Sequence, residues 1–421
     1  MRILWQLQLS NYYNGKFSLS GDSNWTTFIA KAKQLLKRDP NIKFDIIMPS
    51  IVHCTEDYYS QLRDEGLAFS TSVWAIDIIP NALATRYDFN YDQMFNHFSG
   101  VAPGITHVYI NDPSLLGNYM AMFLNYKWPR PKFIVQCHFL DSPNTRIVPA
   151  DASYWWRTVE ACEKADLMVW HCASQEEFFF GELANVLRDD YIDANFSHST
   201  VWKSGHSTEL LDTPVNPLKI RFDTKLLDHN SKVVWVPNRI GGLGISLDYT
   251  NNGRFMFEEV QKVQGDFVVY AGNPSQKISN SLLAQHCAKY VELLSVALTT
   301  DEYKLLTQRA DIVVALYTED TNGGIAVLEA IHYGAVPLMP DIYEYKQYFD
   351  AVDWPHEFRV APDLSNVAEV LQLLLDNLDT LRPYVKRLQG VIKRMYSFES
   401  TTERFYQKLT SLTKGFDRRL D

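Results

Sequence analysis

Thr321-Asn322-Gly323-Gly324-Ile325-Ala326-Val327-Leu328-Glu329-Ala330-Ile331-His332-Tyr333-Gly334-Ala335-Val336-Pro337 reads as a turn, a helix and the start of a new strand. An apolar strand over 312–316 precedes it, and a helix opens near Ile325 after the glycine pair. Gly334 then ends the helix as the residue past its cap, and 336–339 returns to the sheet. A strand, a glycine turn and a helix bring free backbone N–H groups and a positive dipole end to the strand's carboxyl edge, which suits a diphosphate. Asn322, Gly323, Gly324 and Ile325 form that candidate cradle. Glu329 lies about one turn into the helix, where its carboxylate can accept two ribose hydroxyls. An ordinary glycine turn followed by a surface glutamate accounts for the same letters.

Outward from this stretch, short β-rich runs alternate with helical ones, the pattern of parallel βαβ units. In the first half, strands are predicted over 2–9, 44–48, 107–110, 132–137 and 167–170, and helices over 24–37, 115–126, 154–165 and 174–183, the last with Ser174 as N-cap. Periodicity fades over 199–232, where Pro214 and Pro217 mark a linker. A second series follows, with strands over 233–236, 267–271, 291–294, 312–316 and 336–339. Its helices are predicted over 255–263, 279–289, 300–308 and 326–333. Two long helices close the chain, 364–395 with a break near Pro383, and 399–413.

The fold class expected is therefore α/β, two Rossmann-like domains facing a central cleft. Residues 1–215 form the amino-terminal domain and 216–398 the carboxy-terminal one. One long doubly wound domain is the simpler alternative.

Composition agrees with this class. The 421 residues exceed one ordinary core and suit two domains of about 200 residues. Hydrophobic residues make up 46% and charged residues 21%, the balance of a soluble globular protein. The apolar runs fall short of the roughly 20 residues a membrane span needs. No cleavable leader is read at the amino terminus, and the five cysteines form no C-x-x-C pair, so a reducing cytoplasm is expected. A net charge of −10 exerts no global pull toward nucleic acid. The histidines show no ligand spacing, so neither a metal nor a prosthetic group is expected.

The 321–337 stretch resembles the donor-binding motif of family 4 glycosyltransferases, an acidic residue eight positions before a glutamate, then Ala-x-x-x-Gly-x-Pro. Glu329, Ala330, Gly334 and Pro337 match it. Val291-Glu292-Leu293-Leu294-Ser295, Thr300-Asp301-Glu302 and Arg309-Ala310-Asp311-Ile312-Val313-Val314-Ala315 match the elements before it. The family's first glutamate is Thr321 here, with Glu319 and Asp320 just upstream as substitutes. The resemblance implies the GT-B fold, with 399–421 packing back on the amino-terminal domain, a retaining mechanism and a nucleotide-diphosphate sugar as co-substrate. It assigns Arg239, after Val236-Pro237-Asn238, to the diphosphate. The family's lysine-glycine pair falls at Asn252-Gly253, so Arg254 supplies the second charge. A solvated loop is the other reading of that segment.

On the amino-terminal side, His138 ends the strand 132–137 where similar enzymes place a histidine near sugar and acceptor, with Asp141 close behind. A histidine satisfied within the structure fits equally. Gly21 and Ser20 lie in the loop after the first strand, which in the family approaches the donor phosphates and sugar; turn chemistry also explains them. Asp112 ends another strand and is a candidate for acceptor contact, although Asn-Asp-Pro is a common turn and cap sequence.

Catalysis is thus expected to involve His138, Arg239 and Glu329, and the partners are a nucleotide sugar and an acceptor hydroxyl. The Tyr-, Phe- and Asn-rich style is similar to that of phage-encoded transferases acting on hydroxymethylated pyrimidines in DNA, which would require base flipping. A saccharide or small-molecule acceptor is the alternative. A sugar-nucleotide epimerase or hydrolase of the same fold, or a binding protein without turnover, also accommodates these residues. The letters set no oligomeric state.

Overall fold

Apolar side chains on both faces of its strands give the amino-terminal half its skeleton. In the computed structural model, β1 (Arg2–Gln6), β2 (Lys43–Pro49), β3 (Thr71–Ile76), β6 (His107–Ile110), β7 (Lys132–Cys137), β8 (Leu167–Trp170) and β9 (Ser199–Val201) form one parallel sheet. A small antiparallel ribbon, β4 (Ile78–Pro80) with β5 (Tyr87–Phe89), stands apart from it. The structure describes residues 1–7, 9, 23–50, 58–80, 87–125, 128–137, 152–196, 199–202, 214–222, 231–237, 255–271, 291–294, 298–318 and 324–414.

Strand order in this sheet is β3-β2-β1-β6-β7-β8-β9. Winding outward from β1 in both directions is the Rossmann order, and the switch point lies between β1 and β6. Because side chains alternate along a strand, neighbours enter different cores. Ile3, Trp5, Ile46, Met48 and Ile134 belong to one, while Leu4, Ile47, Phe133 and Val135 belong to the other. Helices cover both faces, as an all-parallel sheet requires.

One face is covered by α1 (Ser23–Arg38) together with the chain's last helix, Phe398–Lys414. The Phe405 ring stacks on Trp202 at 3.6 Å and 11°, and the Trp202 indole donates to Thr402 at 3.3 Å. Gln34 donates to Glu399 at 3.2 Å, and Arg38 pairs with Glu403 at 2.8 Å. The compact unit accordingly comprises Met1–Ser204 and Phe398–Asp421. Lys31 of α1 is fully buried in this layer, 4.0 Å above the Trp202 ring and 3.5 Å from the Gln136 amide oxygen. No carboxylate among the described residues pairs with it. Burial lowers its pKa to about 7.

The second unit, Gly205–Ser397, repeats the plan on a smaller scale. Its strands are β10 (Lys232–Val236), β11 (Phe267–Ala271), β12 (Val291–Leu293), β13 (Ile312–Val314) and β14 (Val336–Leu338). They pair in parallel in the order β12-β11-β10-β13-β14. Its switch point lies between β10 and β13. The helices used below are α2 (Thr300–Arg309), α3 (Ile325–His332), α4 (Tyr343–Asp350), α5 (Val367–Asp376) and α6 (Leu378–Tyr396); Phe398–Lys414 is α7. Among the described residues no helix is long and apolar enough to cross a membrane.

Four features that the sequence reading placed are built differently. The break between α5 and α6 falls at Asn377, not near Pro383. The Asn377 amide donates to the Leu373 carbonyl at 2.8 Å and closes the first helix, whereas Pro383 lies within the first two turns of α6 and removes one backbone bond there. Ser174 is not the cap of its helix: Ala173–Ala184 starts after Cys172, which makes no side-chain cap bond, and Ser174 is buried inside. Residues 199–201 were read as linker but add the last strand, whose pairing is extended by the Trp202 N–H donating to the Trp170 carbonyl at 2.9 Å. The predicted helix over 255–263 is wound as a π turn, Phe255–Glu259, then a 3₁₀ turn, Val260–Lys262.

Lys31 yields a test of the first core. With its pKa lowered from the ordinary 10.5 to about 7, stability falls as pH drops through that window, and the full cost is present at pH 7. Lys31→Met should therefore stabilise the protein by on the order of a few kcal/mol at pH 7 and by less at pH 9.5. Urea unfolding at the two pH values measures this; an unchanged or lowered midpoint at pH 7 contradicts it.

Candidate functional site

Beyond β13 the chain runs through Ala315 and Leu316, both buried, and α3 begins again after Gly324. Gly324 has φ +42°, a conformation L side chains rarely adopt. A Cβ there would sit 3.2 Å from Val327 Cγ2 and 3.7 Å from the Tyr345 hydroxyl, which α4 brings in. Its carbonyl accepts from the N–H groups of Val327 at 3.0 Å and Leu328 at 3.2 Å. Being glycine, it contributes no side chain to cap Ile325 and Ala326, whose N–H groups form the positive end of α3. At the other end, Gly334 N–H donates to the Ile331 carbonyl at 2.9 Å and Ala335 N–H to the Ala330 carbonyl at 3.0 Å, with φ +103° at Gly334. This Schellman closure fixes where α3 stops and β14 starts.

One turn into α3, Glu329 is partly buried. Burial raises its pKa to about 7, and a hydrogen bond from the Tyr303 hydroxyl to Oε2, at 2.5 Å, pulls the other way. Tyr303 comes from the first turn of α2, and its ring meets Trp235 of β10 edge-on at 6.4 Å. Burial, reinforced by the Glu329 charge, pushes the Tyr303 phenol well above its ordinary range. It is therefore a donor at any physiological pH.

The start of α2 is firmly tied. Thr299 and Glu302 form a reciprocal capping box, with Thr299 N–H to Glu302 Oε2 at 2.7 Å and Glu302 N–H to Thr299 Oγ1 at 3.2 Å. Arg221 closes on the same carboxylate through its backbone N–H at 2.7 Å, Nε at 3.0 Å and a terminal nitrogen at 2.7 Å. Burial pushes Glu302 up, yet these hydrogen bonds hold it at about 2. Asn216 N–H adds a 2.9 Å bond to Asp301. The segment 214–222 is thereby clipped to the helix that carries Tyr303.

Of the residues predicted from sequence, Gly324, Ile325 and Glu329 come together on α3. His138, Asp141, Gly21, Ser20, Arg239, Asn252, Arg254, Asn322 and Gly323 lie outside the described residues, as do Thr321, Glu319 and Asp320. β10 is described as far as Pro237, two positions before Arg239, and β7 ends at Cys137, immediately before His138. Asp112 belongs to the other unit, is buried, and its carboxylate accepts from Ser114 N–H at 3.1 Å and Ser114 Oγ at 2.7 Å. That carboxylate serves as a cap. Tyr303 was not among the predicted residues, although it directly follows Thr300-Asp301-Glu302; the available signal was a hydroxyl-bearing aromatic one turn into the helix beside α3. Among the described residues no group of three His, Cys, Asp or Glu side chains is placed to hold a metal ion.

Sequence comparison found no matching family model and no matching curated protein. Structural comparison found many similar chains. HepE of Anabaena, solved with UDP and glucose, has TM-score 0.67 at 14% identity, over 98% of this chain and 100% of that one. Sucrose-phosphate synthase of Thermosynechococcus elongatus has TM-score 0.70 at 12% identity, over 98% and 99%. A proposed UDP-N-acetylglucosamine 2-epimerase of Listeria monocytogenes has TM-score 0.57 at 12% identity, over 99% and 98%. At such identities the likeness shows the fold, two Rossmann-like halves of the GT-B kind.

Glu329 makes a prediction that needs no ligand. With its pKa raised from 4.5 to about 7, the folded state keeps a proton that the unfolded chain has lost, so stability declines as pH rises from about 4.5 to about 7. Glu329→Gln removes that decline. Its melting temperature should exceed the parent's at pH 8 more than at pH 5, by about 2–4 °C for each kcal/mol recovered. Thermal scans that stay parallel across the range would rule out a carboxyl titrating there.

Proposed function

We propose that the chain is a glycosyltransferase that takes a sugar from a nucleotide-diphosphate sugar and places it, with retained configuration, on an acceptor hydroxyl. One observation carries this reading: the glycine-opened α3 at the carboxyl end of β13, beside the switch point, with a carboxylate one turn in. In an open α/β sheet that is where nucleotide ligands bind. The helix start takes the diphosphate and Glu329 takes the ribose hydroxyls. The bound UDP and glucose in HepE make UDP-glucose the first donor to test.

In this reading Arg239 and Arg254, with the N–H groups of α3, disperse the charge that builds on the departing diphosphate. His138 is the residue the resemblance offers for the sugar and acceptor. The acceptor oxygen bonds to the anomeric carbon on the face from which the phosphate oxygen leaves. That phosphate oxygen takes the acceptor's proton, so no protein nucleophile is required. The carboxy-terminal unit holds the donor. Hydroxymethylated pyrimidine in DNA is the first acceptor to try, with saccharides beside it. A second reading, a sugar-nucleotide epimerase, draws on the likeness to the Listeria protein; such an enzyme consumes its substrate without an acceptor.

The decisive test incubates the protein with a panel of nucleotide sugars, with and without hydroxymethylated DNA or saccharides, and follows nucleotide release. Release that needs an acceptor is expected. Release without one favours the epimerase or a hydrolase, and failure to bind any nucleotide sugar defeats both. Arg239→Ala should lower turnover by about 10²–10³-fold, the loss typical of removing one charge-stabilising donor.

A further inference from the structure

We infer that Tyr303 is a positioning residue for nucleotide binding: its hydroxyl holds Oε2 of Glu329 so that the carboxylate is presented, as an acceptor, to the ribose diol. The inference rests on the reading of α3 as the nucleotide site. It adds a residue from a different helix, and with it the source of ribose selectivity.

The geometry is specific. A glutamate has three rotatable side-chain bonds, and a carboxylate left alone on a helix sweeps a wide volume. Here one oxygen is fixed at 2.5 Å by a phenol. The phenol is itself on a stiff mount: its ring lies edge-on to Trp235 of β10, and the residue before it, Glu302, accepts hydrogen bonds from Thr299 and Arg221. A rigid donor fixing one oxygen leaves Oε1, and the second lone pair of Oε2, to accept from a ribose.

Chemistry runs in the same direction. Only an ionised carboxylate is a pure acceptor; a protonated one spends an oxygen on an O–H that competes with the ribose hydroxyls. Burial works toward protonation of Glu329, and donation from Tyr303 works against it. Since the phenol stays protonated, it keeps donating in the empty and occupied states alike. Phenylalanine at this position would fill the same space against Trp235 while releasing the carboxylate.

The test compares UDP with 2′,3′-dideoxy-UDP by calorimetry on the full chain, in the parent, Tyr303→Phe, Glu329→Gln and the double variant. The parent should prefer UDP. Tyr303→Phe should lose about 10- to 100-fold of UDP affinity, the range for a hydrogen bond to a charged group, with the dideoxy affinity unchanged. A role in packing alone would weaken both ligands equally. The double variant should bind UDP no more weakly than Glu329→Gln, because the two groups act as one. Should Tyr303→Phe fail to fold, Tyr303→His keeps a ring and a donor, and it should restore part of the UDP preference relative to Tyr303→Leu.

A Tyr303→Phe protein with the parent's full UDP preference overturns this inference and leaves the glycosyltransferase reading intact. A parent that binds UDP without preference over the dideoxy form overturns the ribose role of Glu329 and Tyr303 together. If the parent binds neither UDP nor its dideoxy form, the nucleotide site itself is wrong, and the inference falls with it.

Discussion

Parallel strands buried on both faces impose one constraint on everything else: each connection must leave at a carboxyl edge and return through a helix. Two such sheets, each wound outward from its first strand, put a switch point between β1 and β6 and another between β10 and β13. At a switch point adjacent connections diverge to opposite faces, and the strand edge is left uncovered. Free dipole ends and polar side chains collect at such carboxyl ends, although some polar groups, Lys31 and His107 among them, are buried elsewhere in the layers. Gln6, Asn111 and Gln136 at the strand ends of the first sheet, and α3 at the end of β13 in the second, are local products of that rule.

Within the rule, individual residues settle the outcome. A glycine at φ +42° makes the entry to α3 so tight that a methyl group would meet Val327. The Schellman turn at Gly334 fixes its exit. The helix between them has only eight residues, too few to be stable in isolation, so α3 depends on burying Val327, Leu328, Ala330 and Ile331. Glu329 is carried on a helix held by its apolar neighbours. That arrangement explains how a carboxylate can be desolvated enough to titrate near 7 without disrupting the fold.

The sequence made the strands of the second half and the α3 stretch readable because their signals are short-range: apolar runs, glycine pairs, a glutamate at fixed spacing. It left β3 unread, since Thr71-Ser72 and Trp74 do not form an apolar run, and it missed the three-residue β9, whose identity depends on Trp170 supplying a carbonyl beyond it. The break at Asn377 was misplaced for a similar reason: proline is a conspicuous letter, whereas an asparagine that caps a helix by bonding four residues back is legible only in three dimensions. Tyr303 escaped for the same cause. Its link to Glu329 spans 26 positions, and nothing in the local letters ties the two together.

The charge balance at α3 gives this long-range pair its significance. In the proposed nucleotide complex, a diphosphate near the helix start would bring further negative charge toward Glu329, pushing its carboxyl higher and favouring the proton. Burial alone would carry the Glu329 carboxyl above the value of about 7 that it has with the Tyr303 hydroxyl donating to it, and a protonated carboxyl is a poor acceptor for a ribose. The dipole of α3 acts mainly on the phosphates, because its field fades within the first turn. Two agents remain: cations on the diphosphate, the part proposed for Arg239 and Arg254, and a neutral donor touching the carboxylate itself. Tyr303 is that donor, and its neutrality matters. A lysine in its place would hold Glu329 more firmly ionised but would also draw the diphosphate toward the ribose end of the site. A phenol fixes the carboxylate without competing for the phosphates.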